Sequence, residues 1–110
     1  MATFFRTAVI NNIGTTPVDV LAPAAANRFT VVGLNLANTT DDVVTVDITV
    51  TASDGITTSY YIKGLMIDPY TSAKVVTNGE KIILAESTTM TIVSDTVNSV
   101  DLVASYAEIV

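Results

Sequence analysis

The chain contains no cysteine and no histidine, and only 15% of its 110 residues are charged. Each shortage removes a class of function. Without cysteine there are neither disulfides nor thiolate metal sites, so the fold must rest on its own core or on neighbours, and the redox compartment stays open. Without histidine the usual general base near neutral pH and the commonest metal ligand are both missing. Serine and threonine are abundant, yet a hydroxyl nucleophile needs a positioned base, and only Lys63, Lys74 and Lys81 are available for that role. No Gly-rich phosphate loop is present. The sequence therefore predicts no catalytic residue, no cofactor and no enzyme activity.

Positive charge is scarce in particular: 5 Lys and Arg stand against 11 Asp and Glu, a formal net charge of −6. Arg6, Arg28, Lys63, Lys74 and Lys81 are scattered rather than gathered into a stripe, which argues against a nucleic-acid partner held by phosphate neutralisation. The same sign argument disfavours an anionic lipid surface. Long hydrophobic runs are absent too, and the opening Met1-Ala2-Thr3-Phe4-Phe5-Arg6 lacks the charged-then-apolar layout of a secretory signal. The expectation is a soluble protein made in the cytoplasm, with no membrane partner. Asn38-Thr39-Thr40 matches a glycosylation sequon, read as chance without such a signal. The carboxylate groupings are Asp41-Asp42, Asp95 with Asp101, and Glu80 with Glu86. None has the spacing of a calcium loop, so they read as solvated turn acids and no metal site is predicted.

What the sequence does have is β-branched side chains. Val (16), Ile (10) and Thr (18) make up 44 of the 110 residues, and these suit a pleated surface and crowd a helix. With 49% hydrophobic residues the chain is not disordered, and its length fits one domain over residues 1–110.

The pattern along the chain agrees. Thr3 to Ile10 alternates loosely and reads as an edge strand, followed by turn formers from Asn11 to Pro17. Val18 to Leu21 is a short strand. Between Ala22 and Asn27 the three consecutive alanines after Pro23 could start a helix, but Pro23 and the lack of periodic apolar partners favour a surface loop. From Arg28 to Leu36, Val32, Leu34 and Leu36 fall on one face and Phe29, Val31 and Gly33 on the other, as in a central strand. Val43 to Thr51 is the clearest segment, with Val44, Val46, Ile48 and Val50 on the core face. Ser53-Asp54-Gly55 then closes a hairpin with Thr57 to Lys63. Asp68-Pro69 marks a corner. Lys74 to Val76, an Asn78-Gly79 turn and Lys81 to Ala85 suggest a second hairpin; Thr88 to Ser94 and Ser99 to Ile109 complete the set. The predicted fold class is all-β, an antiparallel β-sandwich or jelly roll of about seven to nine strands.

Aromatic placement and the weak surface charge point to interfaces. Adjacent Tyr60 and Tyr61 must face opposite ways in a regular strand, so one of them is left outside a one-sided core. In the last strand Val100, Leu102, Ala104 and Tyr106 alternate with Val103, Ala107 and Ile109, leaving little polar face. The candidate interface residues are Phe4, Phe5, Arg6, Tyr60, Tyr61, Tyr106 and Ile109.

Several phrases carry a family resemblance: Val31 to Thr40 (VVGLNLANTT), the Val-Thr strand to Thr51, Tyr60-Tyr61-Ile62-Lys63, and Ser94-Asp95 leading to the Ser99–Ile109 stretch. Over about positions 14 to 109 the chain resembles small β-sandwich virion structural proteins of tailed bacteriophages. That resemblance implies a non-enzymatic, oligomeric virion component made in the host cytoplasm. Its type would be a capsid decoration (cement) protein on the major capsid protein or, alternatively, a neck, tail or fibre component contacting other virion proteins. Residues 1–13 would then serve as an extended N-terminal arm that adds a strand to a neighbour, hinged near Gly14. A reading from another class is a carbohydrate-binding module stacking sugars on Tyr60, Tyr61, Tyr70 and Tyr106.

Overall fold

A computed structural model of the chain describes residues 2–76 and 80–110. The expected Asn78-Gly79 turn lies outside the described residues, and the two strands it was to join as a hairpin, Ser72–Val76 and Ile82–Leu84, each pair with Arg28–Asn38 instead of with each other. The strands run β1 (Thr3–Ile13), β2 (Val18–Leu21), β3 (Arg28–Asn38), β4 (Val44–Thr51), β5 (Thr58–Ile67), β6 (Ser72–Val76), β7 (Ile82–Leu84), β8 (Thr89–Ser94) and β9 (Val100–Ile109). Ala22 to Asn27 is a loop, and no helix occurs among the described residues.

Two antiparallel sheets result. One has the order β1-β9-β3-β6, with β7 also paired to β3; the other has the order β2-β8-β4-β5. The pairs nest around the β4–β5 hairpin: β3 with β6 and β7, then β2 with β8, then β1 with β9. Such a chain is one long antiparallel ribbon. Rolling it up brings β9 against β3 and β8 against β4, which is the strand order of a jelly roll. The all-β sandwich expected from composition is therefore present, and of the two topologies left open by periodicity it is the jelly roll.

Alternation decides which side chains enter the core. On β4, Val44, Val46 and Ile48 are fully buried while Thr45, Asp47 and Thr49 remain half-exposed, as a period of two requires. β3 departs from the expected phase. Its pairing with β9 slips between Val31 and Gly33, so Val32 is an extra residue. Phe29 and Val31 point inward before this bulge and Leu34 and Leu36 after it, while Val32 is turned out to solvent. The reading that put Val32 on one face with Leu34 fails for that reason.

The β4–β5 hairpin forms, with Thr51 paired to Thr58, but its loop is longer than a two-residue Asp-Gly turn. The Ala52 N–H donates to the Thr57 carbonyl at 2.8 Å, Gly55 adopts φ +74°, and the Asp54 carboxylate accepts the N–H groups of Ile56 and Thr57 and the Thr57 hydroxyl. At the other end of the sandwich buried polar groups fasten the loops. The Asn38 amide donates to the carbonyls of Asp42, Ile67 and Asp68 and accepts from the N–H and hydroxyl of Thr40. The Ser94 and Ser99 hydroxyls bond at 2.7 Å, and Ser99 donates to the Thr96 carbonyl. Gly14 passes so close to this loop that a Cβ there would stand 3.1 Å from the Asn98 nitrogen.

Candidate interaction surface

β1 and β9 place five of the seven interface candidates together. In their ladder Thr3 opposes Ile109, Phe4 opposes Glu108, Phe5 opposes Ala107 and Arg6 opposes Tyr106. In the folded chain this segment is an edge strand of its own sheet, as its loose alternation predicts, and among the described residues no strand pairs with its other side. Tyr60 and Tyr61 lie apart from this group, on β5 at an edge of the second sheet.

Alternation splits β1 into two faces. Phe4, Arg6, Ala8 and Ile10 face the sandwich interior, where Ala8 and Ile10 pack against the core. The Arg6 Nε donates to Glu108 Oε1 at 2.7 Å, its guanidinium lies 5.2 Å from the Phe4 ring centre, and the Asn27 amide donates to the other Glu108 oxygen at 3.1 Å. Tyr106 is half-buried on this inner side, its ring 4.6 Å from that of Phe29. Its contacts are therefore internal, and the sugar platform loses one of its four rings.

The opposite face of the same sheet carries several exposed apolar side chains. Phe5 is 88% exposed, Val9 72% and Ile83 70%, and Val32 and Val103 lie exposed between them. The ladders set Val9 beside Val103, Val103 beside Asn35, and Ile83 beside Thr30, so these side chains span the sheet from β1 to β7. A shallow hollow of about 520 Å³ sits at the β3 bulge, where Gly33 supplies no side chain and Val32, Asn35, Lys74, Val103 and Ser105 form the walls. The Asn35 Oδ1 in this hollow is buried and accepts no hydrogen bond from the described residues. Thr7, Thr30, Asn35, Lys74 and Ser105 are interleaved with the apolar side chains on this face, and exposed apolar side chains rimmed by polar ones mark an interaction site. Val9, Val32, Ile83 and Val103 were not among the sequence candidates. The outward alternation Phe5, Thr7, Val9 was a legible signal for Val9, whereas the place of Val32 and Ile83 depends on the bulge and on the pairing of β7.

β5 is built differently. Its register against β4 shifts twice, between Val46 and Ile48 and between Ile48 and Thr49. The first shift is a bulge at Gly64, φ +70°, whose N–H donates to Asp47 Oδ1 at 2.8 Å. The second leaves Tyr61 as an extra residue, and both tyrosines are exposed. Lys63 Nζ lies 3.3 Å from Asp47 Oδ2 and 4.5 Å from the Tyr60 ring centre. The Gly64 N–H, with Lys63 adding to it, holds the Asp47 carboxyl below the usual range; the hydrogen bond to Asp47, and Tyr60 after it, pushes the Lys63 ammonium up. These are the contacts of an anchored surface pair. Among the described residues no three Asp or Glu side chains converge on a common point.

The sequence matches no protein-family model and no curated protein. Solved structures share the fold. A chain of the Bacillus endospore appendages, which form a family of disulfide-linked pili, superposes with a TM-score of 0.56 at 15% identity, over 96% of this chain and 86% of that one. Chains of infectious bursal disease virus are similar as well. One from the T13 viral particle gives 0.55 at 13% identity, and one from the Gx strain gives 0.57 at 13%. Each covers 96% of this chain, which spans only 30% and 33% of those viral chains. The likeness is one of fold. It is a β-sandwich found in a pilus and in viral particles.

Proposed function

We propose that the chain is a non-enzymatic structural subunit of an assembled particle, a virion component whose work is done by packing against other protein subunits. The observation that carries this reading is the set of exposed apolar side chains from Phe5 and Val9 through Val103 and Val32 to Ile83, beside an open β1 edge. Clusters of exposed apolar side chains with a polar rim are the usual mark of a surface that packs against another protein. The company of the fold, a pilus and viral particles, supports the same reading. Lacking cysteine, this chain would assemble without the disulfide links named for the pilus, through side-chain packing and strand edges. The resemblance to tailed-phage proteins supports the finer assignment, a decoration or cement protein on the major capsid protein, made in the host cytoplasm, with a neck, tail or fibre component as the alternative. Imaging of intact particles tests it. Hundreds of copies at capsid subunit junctions are expected for decoration and about a dozen at a vertex for a neck component, while absence from particles overturns the reading.

A carbohydrate-binding module is the competing class. Exposed Tyr60, Tyr61 and Tyr70 favour it, and the internal packing of Tyr106 weighs against it. A glycan array without hits removes it.

A further inference from the structure

The two sheets leave four kinds of edge, and they are not equally protected. β2 is four residues long and its pairing slips between Asp19 and Leu21. The β6 and β7 side is split between strands of five and three residues. β5 carries two bulges and the charge of Lys63. Short strands, bulges and lysines are the usual devices that keep a sheet from pairing with another chain. β1 has none of them over its regular part. It pairs without a slip from Thr3 to Ile10, the slip at its far end falls between Ile10 and Ile13, and it holds neither proline nor glycine. Its single charge, Arg6, is already matched by Glu108 at 2.7 Å.

The sequence of that open edge is self-complementary. In Thr3-Phe4-Phe5-Arg6-Thr7-Ala8-Val9-Ile10-Asn11 the polar Thr3, Thr7 and Asn11 stand at the ends and the centre, with the apolar pairs Phe4-Phe5 and Val9-Ile10 between; Arg6 and Ala8, beside the centre, are the one unlike pair. Two copies running antiparallel about Thr7 set Thr7 against Thr7, Arg6 against Ala8, Phe5 against Val9, Phe4 against Ile10 and Thr3 against Asn11. Opposed residues share a face of an antiparallel sheet, so the exposed Phe5 and Val9 cover each other on the outer face, twice. A slip of two residues either way sets Phe5 against Thr7 or Asn11 instead, and a slip of one turns the apolar face over. One register is favoured.

We propose that a second copy of this chain docks on the free edge of β1, antiparallel and centred on Thr7, joining two five-stranded sheets into one continuous sheet across a two-fold axis. The proposal rests on the reading of the chain as an assembling subunit and names the first contact of that assembly.

The absence of native cysteine makes the test clean. Thr7→Cys places two thiols opposite each other at the axis, within the roughly 4.4–6.8 Å between Cα atoms that a disulfide spans. Thr3→Cys places them roughly 27 Å apart. Under mild oxidation the first variant is expected to give a reducible covalent dimer on a gel and the second is not. Phe5→Lys and Val9→Glu should each weaken association, followed by light scattering, about tenfold or more, and the combined Phe5→Lys/Val9→Glu chain should recover most of it. Within one chain the two positions are roughly 13 Å apart, so that recovery has to come from the second copy. A chain monomeric at every concentration, equal cross-linking at positions 3 and 7, or a double variant no better than the weaker single one overturns the proposal. The subunit reading fails separately: a particle that carries the chain with its β1 edges apart leaves that reading standing, and a Thr7→Cys dimer absent from every particle does the reverse.

Discussion

Ala2 and Val110 exchange backbone hydrogen bonds in both directions, the Val110 N–H donating to the Ala2 carbonyl at 2.9 Å and the Ala2 N–H to the Val110 carbonyl at 3.3 Å. The two ends of the chain thus meet at the end of the β1–β9 ladder. A circular permutant that joins them through a three- or four-residue Gly-Ser linker and opens the 22–27 loop is expected to fold, with a cooperative melt within a few degrees of the parent. Loss of the cooperative transition would show that β1 is not paired with β9 in solution.

The β3 bulge sorts neighbouring residues by cost. Leu34 is fully buried after it, so Leu34→Ala should lose about 2–5 kcal/mol in urea unfolding, the range for a large-to-small change in a packed core. Val32→Ala, on the exposed side, should stay within about 0.5 kcal/mol. Equal losses at the two positions would mean that β3 runs without the bulge.

Asn38 joins two loops, the β3–β4 and the β5–β6 connections, through a single buried amide. Replacing it with leucine leaves the carbonyls of Ile67 and Asp68 without that donor, at a cost of about 1–3 kcal/mol for the orphaned groups. Asn38→Asp should be no milder, because a carboxylate donates nothing to those carbonyls. Both are read from denaturant midpoints at unchanged m-value.

Two carboxylates make stability depend on pH. The N–H groups of Ile56 and then Thr57 hold the Asp54 carboxyl below its ordinary value, and the Gly64 N–H does the same for Asp47. A carboxyl lowered in the folded state contributes stability above its unfolded pKa of about 3.9, and that contribution is lost as pH falls through the folded value. Lys63, raised chiefly by Asp47, contributes below an unfolded pKa of about 10.4 and loses that as pH rises through the folded value. Melting temperature should therefore drop at acid pH, and Asp54→Ala should flatten that drop while leaving the alkaline limb unchanged. An Asp54→Ala profile parallel to the parent's would remove Asp54 as a contributor.

Gly64 needs its left-handed φ of +70° to turn its N–H toward Asp47, and nothing stands within 4 Å of where a Cβ would sit. Gly64→Ala should therefore cost about 1–2 kcal/mol of backbone strain alone. A neutral result would show that the bulge relaxes.

Several of these features were legible in the order of residues. Val44, Val46 and Ile48 enter the core because a strand alternates and the core takes the apolar side, which is local chemistry. The β4–β5 hairpin follows from turn residues beside two extended runs. The missing histidine and cysteine exclude chemistry without any structure. Phe4, Phe5 and Arg6 stood out for aromatic content beside a turn, and β1 proved to be an edge.

Other features depend on contacts that no window along the chain contains. Arg6 meets Glu108 across 102 positions of sequence, and the roll that brings β9 between β1 and β3 is a choice among strand orders with the same alternation. The bulges at Val32, Tyr61 and Gly64 each shift the phase by one residue, and that shift appears only when a partner strand supplies the register. By itself the sequence determined that this would be an all-β chain with no catalytic histidine or cysteine and a self-complementary first strand. Only the tertiary structure decided that the edge strand read from the sequence would pair with β9, and that Val32 and Ile83 would share the outer face with Phe5 and Val9, because burial and pairing are properties of strands brought together and not of the residues within any one of them.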